Sequence, residues 1–417
     1  MKRFFTFIIS SFALGSTVTL QAQCLKVYSS EEHMVVNYPL ADASTMPFSY
    51  DPEDGYLLSL GDYDIALSSV DSIVVDKDEK YVPNTVVVSY NDKGGAWVTM
   101  SNDLVFSISD YTIEGNKVSL VASDDVDQEI NYILRGTSVN GSFFMDGNYK
   151  ATLTLDGISL TNPDGAALSV ENGKRINVVL SDGSINSFAD GASGTQKACF
   201  FINGHAEVSG SGVLNITSNA RHAYASDEYT ILHETTGTIN ILASANDGLH
   251  VGQYFKMDGG VVNVKDVKGD CVDVSKTKNA DDEQNGWAFI NGGTLNMAVT
   301  AEDVKGLKCD SSMTIKGGTI LAKVSGNGGK GISVGSNLIV EQAAGATTNI
   351  QMDVTGTTYK DTTDPTNTSK CRGIKVKGNY TLRGGNIYMN VTGKKAKGIS
   401  IDGTYTYEGG TTNVVPE

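Results

Sequence analysis

Long apolar runs are missing from this chain once its first two dozen residues are passed. No later stretch approaches the roughly 18 residues that a membrane-crossing helix requires, which excludes a transmembrane segment there. Positive charge is also short, with 32 Lys and Arg against 48 Asp and Glu and a formal net charge of -16. A nucleic-acid partner is therefore excluded, because phosphate binding needs a basic footprint. Cysteine is sparse and odd in number, five residues, so complete internal pairing is impossible. At most one bridge is expected, since Cys199, Cys271, Cys309 and Cys371 fall in repeat positions where packing explains them. Helical spacing is absent as well: no long segment carries apolar residues three and four apart. Only seven prolines accompany 46 glycines and many Thr, Val, Ile, Asn and Asp, the composition of short strands joined by tight turns.

The N-terminus has its own logic. Lys2 and Arg3 precede an apolar run from Phe4 to Leu14, followed by small and polar residues ending near Ala22. That order predicts a secretory signal peptide over residues 1–22, and its removal takes the charge to -18. Export to the periplasm, cell surface or exterior follows. Lipid anchoring at Cys24 fits poorly, since Gln23 stands where a small residue is wanted.

A repeat dominates the rest. The block Gly-x-x-Asn starts at Gly212, Gly237, Gly260 and Gly293, continues with other residues in the Asn slot after Gly318 and Gly385, and returns at Gly410. The first five glycines are 25, 23, 33 and 25 residues apart, so the unit is about 25 with one insertion. A glycine in the same corner of each turn supplies the positive backbone angle of a sharp bend. A second block, in register with the first, reads x, small, apolar, x, apolar. Its members include Asp247-Gly-Leu-His-Val, Asp270-Cys-Val-Asp-Val, Lys305-Gly-Leu-Lys-Cys, Lys330-Gly-Ile-Ser-Val, Arg372-Gly-Ile-Lys-Val and Lys397-Gly-Ile-Ser-Ile. Period-two alternation sends Leu249, Val272, Leu307, Ile332, Ile374 and Ile399 inward, where coil stacks upon coil.

The expected fold is all-β: a parallel β-helix over residues 86–417 with about 25 residues and three strands per coil, preceded by a β-rich leader over 23–85. Polar insertions at Ser275 to Trp287 and Thr357 to Lys370 flank the second block.

That block generates two outward columns. The first reads His222, Asp247, Asp270, Lys305, Lys330, Arg372, Lys397, and the second Ala225, His250, Asp273, Lys308, Ser333, Lys375, Ser400. With coils about 4.8 Å apart, Asp247, Asp270 and Asp273 converge, which invites Ca²⁺ with oxygen ligands. A cross-coil ladder of Asp–Lys pairs is the alternative. Lys305, Lys308, Lys330 and Arg372 form a basic strip able to meet uronate carboxylates, with His250 beside it and Trp287 as a ring facing the sugar. Tyr380, Tyr405 and Tyr407 share the register of inward residues, and His222 is expected to be solvated.

Asn246-Asp-Gly-Leu-His-Val251, Gly269-Asp-Cys-Val-Asp-Val274, Lys305-Gly-Leu-Lys308 and the Gly-Gly-Thr corners resemble the bacterial carbohydrate-binding β-helix proteins, which bind cellulose and acidic sugars and share a fold with pectate lyases. The resemblance covers residues 86–417 and implies a right-handed helix, bound calcium and a sugar-binding outer face. Pectate lyases with a lysine base have a similar series; by motif, Asp247, Asp270 and Asp273 fall on calcium ligands and Lys308 on the base. Gly269 stands where those lyases place an aspartate, and Cys271 replaces a glycine. Non-catalytic binding of an acidic or cellulosic glycan, such as polygalacturonate or cellulose, is the expected function. Calcium-dependent β-elimination through Lys308 and a structural or adhesin role are the alternatives.

Overall fold

A computed structural model describes residues 23–416 apart from 46, 61 and 62; the expected signal peptide lies outside them. Strand is almost the only regular secondary structure among the described residues, beside two short 3-10 helices at Leu40–Thr45 and Asn102–Leu104. No helix among the described residues is long and apolar enough to cross a membrane. The chain is a parallel β-helix.

Each coil lays down three strands, and equivalent strands pair in parallel along three ladders. The first ladder is a 12-stranded sheet ending in His222–Ser226, Leu249–Val251, Val272–Val274, Lys305–Cys309, Lys330–Val334, Arg372–Val376 and Lys397–Ile401. The second contains Thr230–Leu232, Tyr254–Met257, Trp287–Ile290, Met313–Ile315, Leu338–Val340, Tyr380–Leu382 and Tyr405–Tyr407. The third contains Val213–Ser218, Thr238–Ser244, Val261–Val264, Thr294–Val299 and their successors to Thr411–Val415. Register is as alternation requires: Leu249, Val272, Leu307, Ile332, Ile374 and Ile399 oppose one another in turn. The first five are at most 2% exposed. Burying such a side chain is worth about 1.5 to 3 kcal/mol, and no single coil can do it alone.

The small residue that precedes this column has a packing reason. A Cβ on Gly331 or Gly373 would stand 2.5 Å from the sulfur of Met352 or Met389, which reach beneath it from the third ladder. Cys271 occupies the equivalent place and is fully buried. All five cysteines are free and buried.

The asparagine slot faces outward on the third ladder as a stack of amides. Asn240 donates to Asn215 at 2.9 Å and Asn263 to Asn240 at 2.8 Å. Corner glycines divide into two kinds. Gly260, Gly293, Gly318, Gly385 and Gly410 have φ between 76° and 88°, as a bend demands. Gly212 and Gly237 do not take positive φ; they are needed because the neighbouring coil's backbone leaves no room for a Cβ.

Residues before the regular coils are continuous with the solenoid. Cys24–Ser29 pairs antiparallel with Met34–Pro39 and Ser72–Asp76, Met34–Pro39 runs parallel to Trp97–Ser101, and Thr85–Asn91 pairs parallel with Ile130–Ser138. One core cluster runs from Leu25 to Val391. Inward stacking holds for Tyr380, which is fully buried, but Tyr405 and Tyr407 are 47% and 62% exposed. They lie on the last coil described, where no further coil covers them.

Candidate functional site

Two outward features stand out, one on the first ladder and one on the second. The predicted second column is realised strand by strand: Ala225, His250, Asp273, Lys308, Ser333, Lys375 and Ser400 are consecutive register partners. Asp247, His250, Asp273 and Lys308 form a chain of charges across these coils. His250 Nδ1 donates to Asp247 Oδ2 at 3.1 Å and lies 3.1 Å from Asp273 Oδ2, while Lys308 Nζ donates to Asp273 Oδ1 at 2.7 Å. Ser275 Oγ donates to Asp273 Oδ2 at 3.0 Å.

Asp247 and Asp273 are both buried. Burial pushes the Asp247 carboxyl upward, but the His222 and His250 imidazoles hold it well below the carboxylate range. Burial pushes His250 down, yet Asp247 and Asp273 raise it to about 9. Burial likewise lowers Lys308, and its hydrogen bond to Asp273 more than reverses this, so the ammonium is held charged. A base must be deprotonated to act, and Lys308 in this arrangement is not.

The first column turns inward more than a free strip would. His222 is 4% and Arg372 8% exposed. Arg372 spends its guanidinium on the carbonyl of Cys371 at 2.6 Å and that of Lys395 at 3.4 Å, because its corner folds it against the backbone instead of into solvent. Lys330 Nζ is held by the Gly328 carbonyl, Asp303 and Ser369, the last supplied by the second insertion. Lys305 Nζ donates to the Asp303 carbonyl at 2.6 Å. Asp270 Oδ1 accepts the Lys305 N–H at 2.7 Å, and Asp247 Oδ1 accepts the Asp270 N–H at 2.7 Å. Gly269 makes room for this: a Cβ there would lie 2.2 Å from Asp247 Oδ1.

The donors brought within 4.8 Å of one another among the described residues are those of His222, Asp247 and His250, two nitrogens and a carboxylate oxygen. Calcium takes six to eight oxygens, so this set fits it poorly. Of the predicted calcium ligands, Asp270 lies outside that set. Burial, and the charges of Asp247 and Asp273, raise its carboxyl to about 6 against the lowering effect of Lys305.

Trp287 stands apart from this cluster, on the second ladder, where its ring stacks on Phe289 at 5.8 Å. Phe289 meets Tyr254 edge-on at 6.3 Å, Tyr254 stacks on Tyr229 at 4.8 Å, and Tyr229 on His205 at 4.5 Å. This half-buried aromatic strip runs along the solenoid axis. Phe289 itself belongs to the adjacent outward column, which runs from Lys256 through Phe289 to Thr314, Ile339 and Thr381.

Beside it runs a polar rail made by the residue that follows each strand. Asn291 donates to Asp258 at 2.8 Å, Lys316 pairs with Glu341 at 3.3 Å, and Arg383 bridges Glu341 at 3.7 Å and Glu408 at 3.0 Å. Column and rail enclose a groove of about 520 Å³, with Gln284 of the first insertion at its rim. Sequence reasoning passed over this groove. The signal was present: Phe289 precedes inward Ile290, so alternation turns it outward, and Lys316, Glu341 and Arg383 each follow an apolar-x-apolar triplet.

Fold and outward columns thus define a parallel β-helix with a groove lined by residues between Lys256 and Arg383 and a separate charged cluster. A family model described as carbohydrate-binding domain-containing protein matches residues 114–416, and the chain belongs to that family. A carbohydrate-binding domain-containing protein of Acetivibrio thermocellus is 24% identical over 144 residues, 32% of this chain and 42% of the relative. The match thus spans less than half of that relative's length. Among solved structures, a polysaccharide lyase-like protein from C. thermocellum, as a gadolinium derivative, is similar with a TM-score of 0.42 at 16% identity, over 80% of this chain and 96% of that one.

Proposed function

We propose that this chain binds polysaccharide without cleaving it, in the groove of the second ladder, with the glycan lying along the solenoid axis. The carrying observation is the juxtaposition of an aromatic and aliphatic column, Phe289 and Ile339, with the rail Lys316–Glu341–Arg383, and Trp287 stacks on Phe289 beside the groove. A pyranose has an apolar C–H face and a rim of hydroxyls; the column supplies the first complement and the rail the second. Each rail charge already has a partner, so the rail offers directed donors and acceptors with little net field. That favours a neutral glycan such as cellulose. Membership of a carbohydrate-binding family supports the reading.

Phe289→Ala is expected to weaken binding to insoluble cellulose or another neutral β-glycan at least about tenfold, equivalent to about 1.4 kcal/mol, and Trp287→Ala somewhat less. Pull-down isotherms and affinity electrophoresis measure this. Undiminished binding by both variants, with folding verified by circular dichroism, would refute the groove.

A second reading keeps the first ladder's face for an acidic glycan, with calcium at Asp270 bridging to a uronate carboxylate and Lys305 and Lys308 alongside. What favours it is the half-buried carboxyl of Asp270 beside Asp247 and Asp273. Because its folded-state value is raised, the ionised form is the costly one, and stability falls as pH climbs through about 6. In chelator at pH 7.5, Asp270→Asn should therefore melt above wild type, by at most about 3 kcal/mol, and match it at pH 4. In millimolar calcium the order should reverse. Thermal scans with and without calcium check both halves, and an unchanged order in calcium removes the ion from this reading. Lyase chemistry through Lys308 would need such a cation to relieve Asp273's hold on the ammonium, and unsaturated product from polygalacturonate is its readout.

A further inference from the structure

We propose that His222, Asp247 and His250 form a binding site for a nitrogen-seeking divalent cation of the zinc class, and that the bound ion clamps two successive coils. This inference is independent of where the glycan lies.

The first support is an orphaned atom. His222 is 4% exposed and its Nδ1 is buried without a hydrogen bond. That nitrogen lies 3.2 Å from Asp247 Oδ2, close enough for an ion pair yet out of line for a hydrogen bond. A buried ring nitrogen facing a carboxylate without bonding to it carries a desolvation cost that metal ligation would offset.

The second is spacing. His222 Nδ1 and His250 Nδ1 lie 3.2 and 3.1 Å from the same Asp247 oxygen, and His250 Nδ1 lies 3.1 Å from Asp273 Oδ2. Ligands about 2.0 to 2.2 Å from a zinc ion stand about 2.9 to 3.4 Å from one another, depending on whether the polyhedron is octahedral or tetrahedral. The two edges to Asp247 Oδ2 fall within that interval. The two imidazoles stack, with centroids 4.4 Å apart and planes 27° from parallel, so one ring must turn out of the stack for both in-plane Nδ1 lone pairs to reach one ion.

The third is orientation from behind. The Asp270 N–H holds Asp247 Oδ1, leaving Oδ2 for the nitrogens, and Asp273 is held by Ser275 Oγ and Lys308 Nζ. Such outer partners fix ligand geometry in metal sites. Imidazole with carboxylate suits zinc, nickel or copper, whereas calcium prefers oxygen alone. Three protein donors leave a fourth position for water. His222 comes from one coil and Asp247 and His250 from the next, so the ion would bind the two as a staple does.

The test uses the full chain stripped with EDTA. One equivalent of ZnCl2 is expected to raise the melting temperature where millimolar CaCl2 does not reproduce the effect. One equivalent of Co²⁺ should give visible d–d bands. His222→Gln, which removes the orphaned nitrogen, should lower zinc affinity by isothermal titration at least about tenfold and abolish the cobalt bands. Wild-type protein that shows neither a zinc-dependent shift nor cobalt bands overturns the proposal, as does equal zinc binding by wild type and His222→Gln. Should the variant fold poorly, the wild-type cobalt spectrum alone decides.

Discussion

Gly237→Val is expected to destabilise the solenoid by more than about 3 kcal/mol, the upper end of what overpacking costs. Gly237 leads into the strand Thr238–Ser244, and its N–H donates to the Gly210 carbonyl at 2.8 Å. A Cβ there would stand 2.1 Å from the Gly212 oxygen and 2.5 Å from the Ser211 oxygen. Both atoms are backbone, so no rotamer change gives relief. The coils would have to part, yet their spacing is set at about 4.8 Å by ladder hydrogen bonds, here those joining Val213 through Ser218 to Thr238 through Ser244. Gly157 is the control. Its φ is +73°, and a Cβ there meets nothing within 4 Å. Gly157→Ala should therefore cost only the left-handed backbone penalty of about 1 to 2 kcal/mol. Urea denaturation of the three proteins separates the two effects; a Gly237→Val midpoint at or above that of Gly157→Ala would show that coil contact is not what the glycine provides.

His250→Ala, measured in chelator near pH 6.5, is expected to cost about 3 to 5 kcal/mol, the usual loss when one member of a buried ionic group is removed. The variant leaves Asp247 and Asp273, both buried, without the imidazolium between them. The pH dependence gives a sharper check. Asp247 and Asp273 raise His250 to about 9 against burial, so its contribution is complete below the ordinary imidazole range and disappears as pH rises through 9. Asp247 and Asp273 are held low despite burial, so theirs is present above the ordinary carboxylate range and disappears as pH falls beneath it. Wild-type stability should thus decline from pH 7 to 10, while His250→Ala stays nearly flat over that interval. Parallel curves for the two proteins would mean that His250 does not hold the carboxylates.

The columns of the first ladder were legible because two simple periods suffice to place them. A unit of about 25 residues aligns Leu249 with Val272 and Leu307, and alternation then puts His250, Asp273 and Lys308 side by side on the outer face. Burial at the corners was not legible. His222 and Arg372 occupy the same repeat position as Lys305, yet both are buried, since local backbone and the neighbouring loop decide that, and neither has a period. Trp287 illustrates a related limit. It closes an insertion that follows the charged cluster in sequence, but the corner at that insertion carries the chain onto another ladder. The groove was within reach of the same alternation that found the core; the rail escaped because the insertion between Thr357 and Lys370 spaces Glu341 and Arg383 unevenly.

The buried thiols carry a practical consequence. Cys24 belongs to the leading strands, and Cys199, Cys271, Cys309 and Cys371 to four different coils. A sulfhydryl reagent meets none of them until the turn that holds it has come loose. The order in which they react under mild denaturant then reads out the direction in which the column unzips, with natural reporters placed along its length and no label added.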